Sequence, residues 1–494
     1  MKNWKPIHTV TLGSVALAAS VLAVPSVTRG QGAAPPPAFP FIDSQNGQGI
    51  SRTITTNSSF DPNNPFFKPL GTNGRTCATC HPTGQGMTIT PDYATQVFNA
   101  TGGLDPLFAT VDGTNSPNAD MSTVDSRRAN CSMLLSRGLI RIGLSIPANA
   151  EFTLAAVDDP YHFASASQLS CFRRPLPSTN LRFLSTVMWD GRERTGSKTV
   201  TDALKSQIKD AVLGHMQGIV PPTDSEIAQI LDFETHLYTT QVYDDNAGDL
   251  DTPQIGAGPE QLVNLPFFPG INDAFGFMKN PQPFNPTVFD FYTGWLPAPP
   301  PPPGKPGGQG GPGNGGRGGQ PGGPPPPPAP KGPQLTAYQA SVARGETLFN
   351  TRTFQITDVN GLNDVLGKKS ISGTCSSCHS LTHVGSNALP LLLNTGIADG
   401  DRRTPDLPLY TLKNKKTGQM VQTTDPGAAL TSGKWSDIGK FKVPSLRGLE
   451  TQSPYMHNGM SGDLADIIDF YDTRFVIDLT DQEKADLKAF LTTL

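Results

Sequence analysis

Two short strings carry the chemistry that is easiest to read. Residues 76–81 are "TCATCH" and residues 374–379 are "TCSSCH", so Cys77, Cys80, Cys375 and Cys378 form two C-x-x-C pairs, followed directly by His81 and His379. This spacing suits one use closely: the two thiols add across the vinyl groups of a haem, and the adjacent histidine swings under the ring as an iron ligand. A thioredoxin-type redox pair does not need the histidine, and a zinc site needs four ligands gathered from distant places. Two covalently bound haem c groups are therefore expected. The other two cysteines, Cys131 and Cys171, either pair in an oxidising compartment or stay as separate buried thiols. The bridge closes a loop of about 40 residues and stabilises by roughly 3–4 kcal/mol.

The elements that position these groups are legible in part. Lys2 and Lys5 precede a small, apolar run from Thr9 to Ala23, and Pro25 follows, as in an export signal. The run is shorter than the roughly 20 residues of a membrane span, and no later segment qualifies. We expect an exported, periplasmic chain with no span in its mature form. Removing Lys2, Lys5 and Arg29 makes the formal charge of −4 three units more negative, which argues against nucleic acid as a partner.

Gly and Pro are abundant (51 and 48) and the apolar fraction is 36%, so loops dominate and the core is modest for the length. The tract 296–333 is mostly Pro and Gly, has no hydrophobic period and reads as a disordered or polyproline-like linker. It divides the chain into an N-terminal segment with the signal (1–33), a first haem region with insertions (34–295) and a second (334–494). The expected fold is mainly α, two cytochrome c-like haem domains with long loops.

Four helices stand out. One near 335–349 carries Tyr338, Val342, Gly345 and Phe349 on one face, with Gly345 allowing close approach of another helix. The last, after Thr480, opens with a Thr480–Glu483 capping box and buries Leu487, Phe490, Leu491 and Leu494. In the first region one helix covers 199–215, with Val200, Leu204, Ile208, Ala211 and Val212 inward. Another opens at a Thr223–Glu226 capping box and runs to about Val242. No run of alternating strands is visible.

With "MWDGRE" (188–193) and "GKFKVPSLRGLETQSPYMHNG" (439–459), the two haem motifs resemble the bacterial dihaem cytochrome c peroxidase family. That family includes the dihaem enzyme that matures the quinone cofactor of methylamine dehydrogenase and, more distantly, the dihaem rubber oxygenases. The resemblance is firm over 335–494 and the two short motifs of the first half, weak over 100–180 and absent in the Pro/Gly tract. It implies hydrogen peroxide reduced at the N-terminal haem, with electrons stored at the C-terminal haem and relayed by Trp189. It also implies a small periplasmic donor, a cytochrome c or a cupredoxin.

The resemblance also directs attention to the second iron ligands. The family's methionine for the C-terminal iron falls at Tyr471, where the quinone-forming relative has tyrosine. Leu464, Ile467, Ile468 and Tyr471 share one helix face, so Tyr471 is a ligand or a core aromatic, and Met456 and Met460 are rivals. At the N-terminal haem, Val97 stands at the distal-histidine position of many peroxidases. Gln207 fits the family's glutamine, allowing an insertion, but no glutamate follows at the expected distance. His215 stands close to that place, as a distal ligand, an acid–base group or a core histidine. Met87 reads as packing, and His162, His236 and His383 as structural. Gln452 replaces the threonine of the family's calcium site, which leaves calcium open. "SPYMHNGM" (453–460) reads as a haem-flanking turn, with the role of His457 undecided. Tyr471 and the missing glutamate favour a rival function, oxidation of an organic or protein substrate; a plain electron carrier is the third reading.

Overall fold

The computed structural model describes residues 38–194, 199–278, 282–296 and 335–494. The expected export signal and the Pro/Gly tract from 297 lie outside them. Residues 39–494 form one compact unit. Among the described residues no helix is long and apolar enough to cross a membrane.

The second haem region is built on two crossed helices, as its periodicity indicates. Thr336 and Gln339 form a capping box that starts the helix Ala337–Thr351. Thr480 and Glu483 form another ahead of Asp481–Thr492. Val342, Gly345 and Phe349 on the first helix and Leu487 and Phe490 on the second are buried. Gly345 is where they touch: a Cβ there would lie 1.9 Å from the Asp486 carbonyl oxygen and 2.7 Å from Phe490 Cβ. Arg344 clamps the crossing with a forked pair of bonds to Asp486, 2.8 and 2.7 Å. The core under this crossing also takes in Val288, Phe289 and Tyr292, from before the Pro/Gly tract. Phe289 meets Phe349 and Phe490 edge-on, at 5.6 Å each.

In the first region the helix Val200–Asp210 is followed by a π turn, Ala211–His215, so the expected helix over 199–215 changes winding in its last turn. The Thr223–Glu226 capping box starts Asp224–Thr235, but that helix stops seven residues before Val242. Leu237–Asp244 is instead a β-strand, rich in Tyr, Thr and Val, which suit a pleated backbone.

Helix makes up about 34% and strand 17% of the structure, with no closed barrel. Among the described residues thirteen short strands lie in five small antiparallel sheets, and the sequence shows few of them. Leu237–Asp244 explains why: it is buried on both faces nearly throughout, so polar and apolar residues do not alternate. It pairs with Gly49–Thr55, where Ser51 and Thr53 bond Gln241 and Thr239 at 2.6 and 2.8 Å. A second sheet ties the haem regions together, because Phe152–Asp158 pairs with Leu409–Asn414.

Candidate functional site

Both C-x-x-C motifs are single helical turns. Each opens with a capping box, Thr76 with Thr79 and Thr374 with Ser377, which turns the two cysteines toward one side and brings the histidine out at the end. His81 Nδ1 bonds the carbonyl oxygen of Met87 at 3.0 Å, and His379 Nδ1 bonds that of Gly385 at 2.6 Å. In both cases the carbonyl belongs to the sixth residue on, in a left-handed conformation (φ 61° and 68°). A carbonyl only accepts, so Nδ1 carries the proton and the Nε2 lone pair is left for a metal. Burial holds both imidazoles neutral, with pKa values lowered to about 4. Met87 thus serves by its backbone, with its side chain packed against Phe66 and Ile208.

One cleft, a cavity of about 170 Å³ that is partly open to solvent, gathers the residues singled out in the first half: Cys77, Cys80, His81, Trp189, Gln207 and His215. His215 lies close enough to His81 to lower its pKa further. Its Nδ1 bonds Asp112, whose other oxygen bonds Arg75. Arg75 in turn donates to the carbonyls of Pro106 (2.7 Å) and Leu107 (2.8 Å). Burial raises the Asp112 carboxyl, but Arg75 and His215 outweigh it and hold the carboxyl below its usual range. Nδ1 of His215 is therefore the donor and Nε2 the free atom, the tautomer that a metal ligand or a proton acceptor requires.

A haem carries two carboxylates, and the cleft holds two buried cations without any. Arg174 is 4% exposed, donates only to backbone carbonyls and has an unpartnered Nε. Lys442 is 7% exposed, and burial alone, with no carboxylate beside it, acts on its ammonium. Burial lowers their pKa values to about 9 and about 8. Uncompensated buried charge is costly, so the cleft has the charge that the carboxylates of a haem call for. Among the described residues no group of three or more His, Cys, Asp or Glu is placed to hold a metal ion.

Trp189 forms part of this cleft and also of the next cluster. Its Nε1 donates to the Arg174 carbonyl at 2.8 Å, and Lys442 N–H donates to its own carbonyl at 2.8 Å. It packs with Ile397, Phe441 and Phe470, a cluster that Tyr471, Met456 and Met460 border. Those three also border the core that contains Cys375 and Cys378. The rest of W-D-G-R holds the tryptophan in place. Asp190 is buried and bonded to Arg173 at 2.5 Å, Arg173 grips Asp425 with two bonds of 2.7 and 2.9 Å, and Gly191 takes φ 69°.

Tyr471 is stacked parallel to Phe475, and its hydroxyl has no hydrogen-bond partner among the described residues. Burial beside Cys378 and Cys375 pushes the phenol up. In the segment 453–460 the chain doubles back, Tyr455 N–H to Ser461 oxygen at 2.7 Å. His457 is 2% exposed, stacked on Phe441 at 3.9 Å and edge-on to Trp189 at 6.2 Å. The amide of Gln452 donates to the Arg447 and Gly448 carbonyls.

The remaining candidates are placed elsewhere. His236 bonds the Asp232 carbonyl at the surface, and His383 pairs with Asp290. Cys131 and Cys171 are not bridged. Cys131 lies in a core with Ile89 and Phe98, while Cys171 is central in the strand Leu169–Arg173, in a separate core with Phe152 and Tyr410. Asp112, Arg75, Arg174 and Lys442 were missed from sequence, since no local spacing marks them.

No family model matches the chain. Cytochrome c peroxidase IdrP2 of Denitromonas iodatirespirans is 33% identical over 135 residues, 25% of this chain and 36% of the relative. Cytochrome c peroxidase IdrP1 of Pseudomonas sp. (strain SCT) is 35% identical over 98 residues, 18% and 24% of the two chains. The matches thus span about a third or less of the relatives' own length. A crystal structure of a MauG-like protein associated with microbial copper homeostasis matches at 26% identity over 33% of this chain and 47% of that one, with a TM-score of 0.22. In sequence and haem-site residues the chain resembles the bacterial dihaem cytochrome c peroxidases, which are oxidoreductases.

Proposed function

We propose that the chain is an exported, periplasmic dihaem c-type cytochrome that reduces hydrogen peroxide at its N-terminal haem. In this reading it comprises two cytochrome c-like modules, 34–295 and 334–494, joined by the linker 296–333. Electrons arrive from a small donor protein, a cytochrome c or a cupredoxin, at the C-terminal haem and pass by way of Trp189. The observation that carries the reading is the single cleft that joins Cys77, Cys80 and His81 to Trp189, Gln207 and His215.

Cys77, Cys80 and His81 would hold one haem, and Cys375, Cys378, His379 and Tyr471 the other. Arg174 and Lys442 would offset the carboxylates of the first. Bound haem supplies the redox-active iron. The chain's residues do the rest: Asp112 fixes the His215 tautomer, His215 Nε2 would hold the haem or accept a proton, and the Gln207 amide lines the cleft. Calcium is no part of the proposal, because the Gln452 amide takes two of the carbonyls at that loop.

A second reading, oxidation of an organic or protein substrate, is favoured by one observation. An adjoining cleft of about 790 Å³ shares Leu181, Leu184, Val187 and Leu204 with the haem cleft, which offers apolar room beside it. Spectra of the ferric and reduced protein, with and without peroxide, separate these readings from a closed electron carrier. A high-spin component that peroxide consumes is the expected result. A low-spin spectrum unchanged by peroxide in both redox states would end the enzyme reading.

A further inference from the structure

A folded protein leaves few voids larger than a water molecule. Beside the N-terminal haem cleft there is one of about 790 Å³, partly open to solvent. Its walls draw on two apolar clusters that stop short of merging. One contains Leu181, Val187, Ala203 and Leu204, with Leu184, Val200 and Leu231 half-buried at its border. The other contains Phe183, Tyr238 and Leu262, with Val263 and Phe267 half-buried at its border. The volume falls within the roughly 300–1,000 Å³ of small-molecule sites, which are mostly apolar with a few placed polar groups. Leu181, Leu184, Val187 and Leu204 line both this cavity and the haem cleft, so one layer of side chains separates the two.

The polar groups around the cavity favour one sign of charge. No aspartate or glutamate lines it, while Arg182 and His236 do, together with the hydroxyls of Ser185, Thr186, Thr201 and Thr235. The turn Leu181–Phe183 buries its first and last side chains and leaves Arg182 exposed between them, at the mouth. Arg182 Nη1 donates to the Val263 carbonyl at 2.6 Å and to the Tyr238 hydroxyl at 3.5 Å, which fixes the guanidinium there. Among the described residues no carboxylate is bonded to it, and both bonds use Nη1. Its Nε and Nη2 are left for a forked bond to a carboxylate. The nearby carboxylate of Asp232 lies outside the lining, 3.4 Å from His236 and bonded to Asn57 at 3.1 Å.

These walls suit an apolar body with one anionic head. A cationic head meets no counter-charge, and a wholly polar molecule leaves the leucines wet. We propose that the cavity is a binding site for an amphipathic organic carboxylate, with its apolar body among the leucines and its carboxylate on Arg182. This goes beyond the second reading above, which needs only apolar room. Binding needs neither peroxide nor electrons, so the site is tested apart from either reading of the haem chemistry.

The test is isothermal titration calorimetry of the haem-loaded protein without peroxide. Decanoate is the probe, and decan-1-ol and decyltrimethylammonium are controls with the same chain. The expected result is saturable binding of decanoate, in a single site, that is tighter than binding of the cation. Arg182→Gln changes an exposed residue and should weaken decanoate about tenfold while leaving decan-1-ol as in wild type. Val200→Trp fills the cavity from the first turn of the helix Val200–Asp210 and should weaken both, with haem content unchanged. No saturable binding of decanoate, or equal affinity for the cation, overturns the proposal. Decanoate affinity unchanged in Arg182→Gln overturns it too, since the carboxylate is then held elsewhere.

Discussion

Replacing Asp112 by asparagine should reset the N-terminal site without touching a haem motif. Asp112 is 4% exposed and serves two donors, Arg75 Nη1 and His215 Nδ1, one on each oxygen. Asparagine has one oxygen and one amide. Arg75 cannot give up its charge, so it takes the oxygen, and the amide is left facing His215 Nδ1. Two donors cannot share a bond, so the imidazole proton moves to Nε2. The atom that faced the cleft as a lone pair then becomes a donor and cannot bind iron. Removing one partner of a buried charge pair costs 3–5 kcal/mol. Arg75 keeps its bonds to the carbonyls of Pro106, Leu107 and His215, which places the cost at the lower end, about 3 kcal/mol. At roughly 2 °C per kcal/mol for a large domain, the melting temperature falls by about 6 °C. Visible and electron-paramagnetic-resonance spectra of the ferric protein read the site, and a thermal melt reads the stability. Loss of stability with an unaltered N-terminal haem spectrum would refute the tautomer argument. No change in either would refute the buried triad itself.

Three further outcomes follow from other parts of the molecule. Gly345→Ala places a methyl 1.9 Å from the Asp486 carbonyl oxygen and must spread the two helices, so it should destabilise by about 1–3 kcal/mol; a denaturant titration with an unshifted midpoint contradicts the close crossing. Burial raises the Asp190 carboxyl, but Arg173 and Arg192 outweigh it and hold its pKa at about 2. Its contribution is thus present above its unfolded value near 4 and lost as pH falls from 4 to 2. Asp190→Asn should flatten the loss of stability in that window, and an acid titration parallel to wild type counts against it. Tyr471→Phe should alter the C-terminal haem spectrum and leave haem content unchanged, while an identical spectrum removes the phenol as a ligand.

What could be read from sequence was local. The C-x-x-C-H strings, the Thr480–Glu483 and Thr223–Glu226 capping boxes and the small residue at Gly345 are each legible within one or two turns of chain, and the structure keeps the two caps and the close helix crossing. His215 and Gln207 were also legible, by their offset from W-D-G-R, and they share the cleft with His81. The residues that complete the site come from far away in sequence. Asp112 reaches His215 across 103 positions, and Arg173 meets Asp425 across 252. Lys442 carries no spacing signal of any kind. The strands were hidden for a related reason: Leu237–Asp244 is buried on both faces nearly throughout, and its Thr239 and Gln241 bond Thr53 and Ser51 far back in the chain, so its pattern shows no period. Cys131 and Cys171 mislead in the opposite direction, since being left over in an exported chain suggests a bridge, while the fold seats them in two different cores.

The central claim is that two haems act together on one peroxide, one electron from each. It is tested most directly by mixing the fully reduced, anaerobic protein with a single equivalent of hydrogen peroxide and following both haems by stopped-flow absorbance. The account predicts that one equivalent reoxidises both haems, and that Trp189→Phe slows the second electron while leaving the first. Reduced haems that persist after peroxide is added, or reoxidation of one haem alone in the wild type, would contradict it.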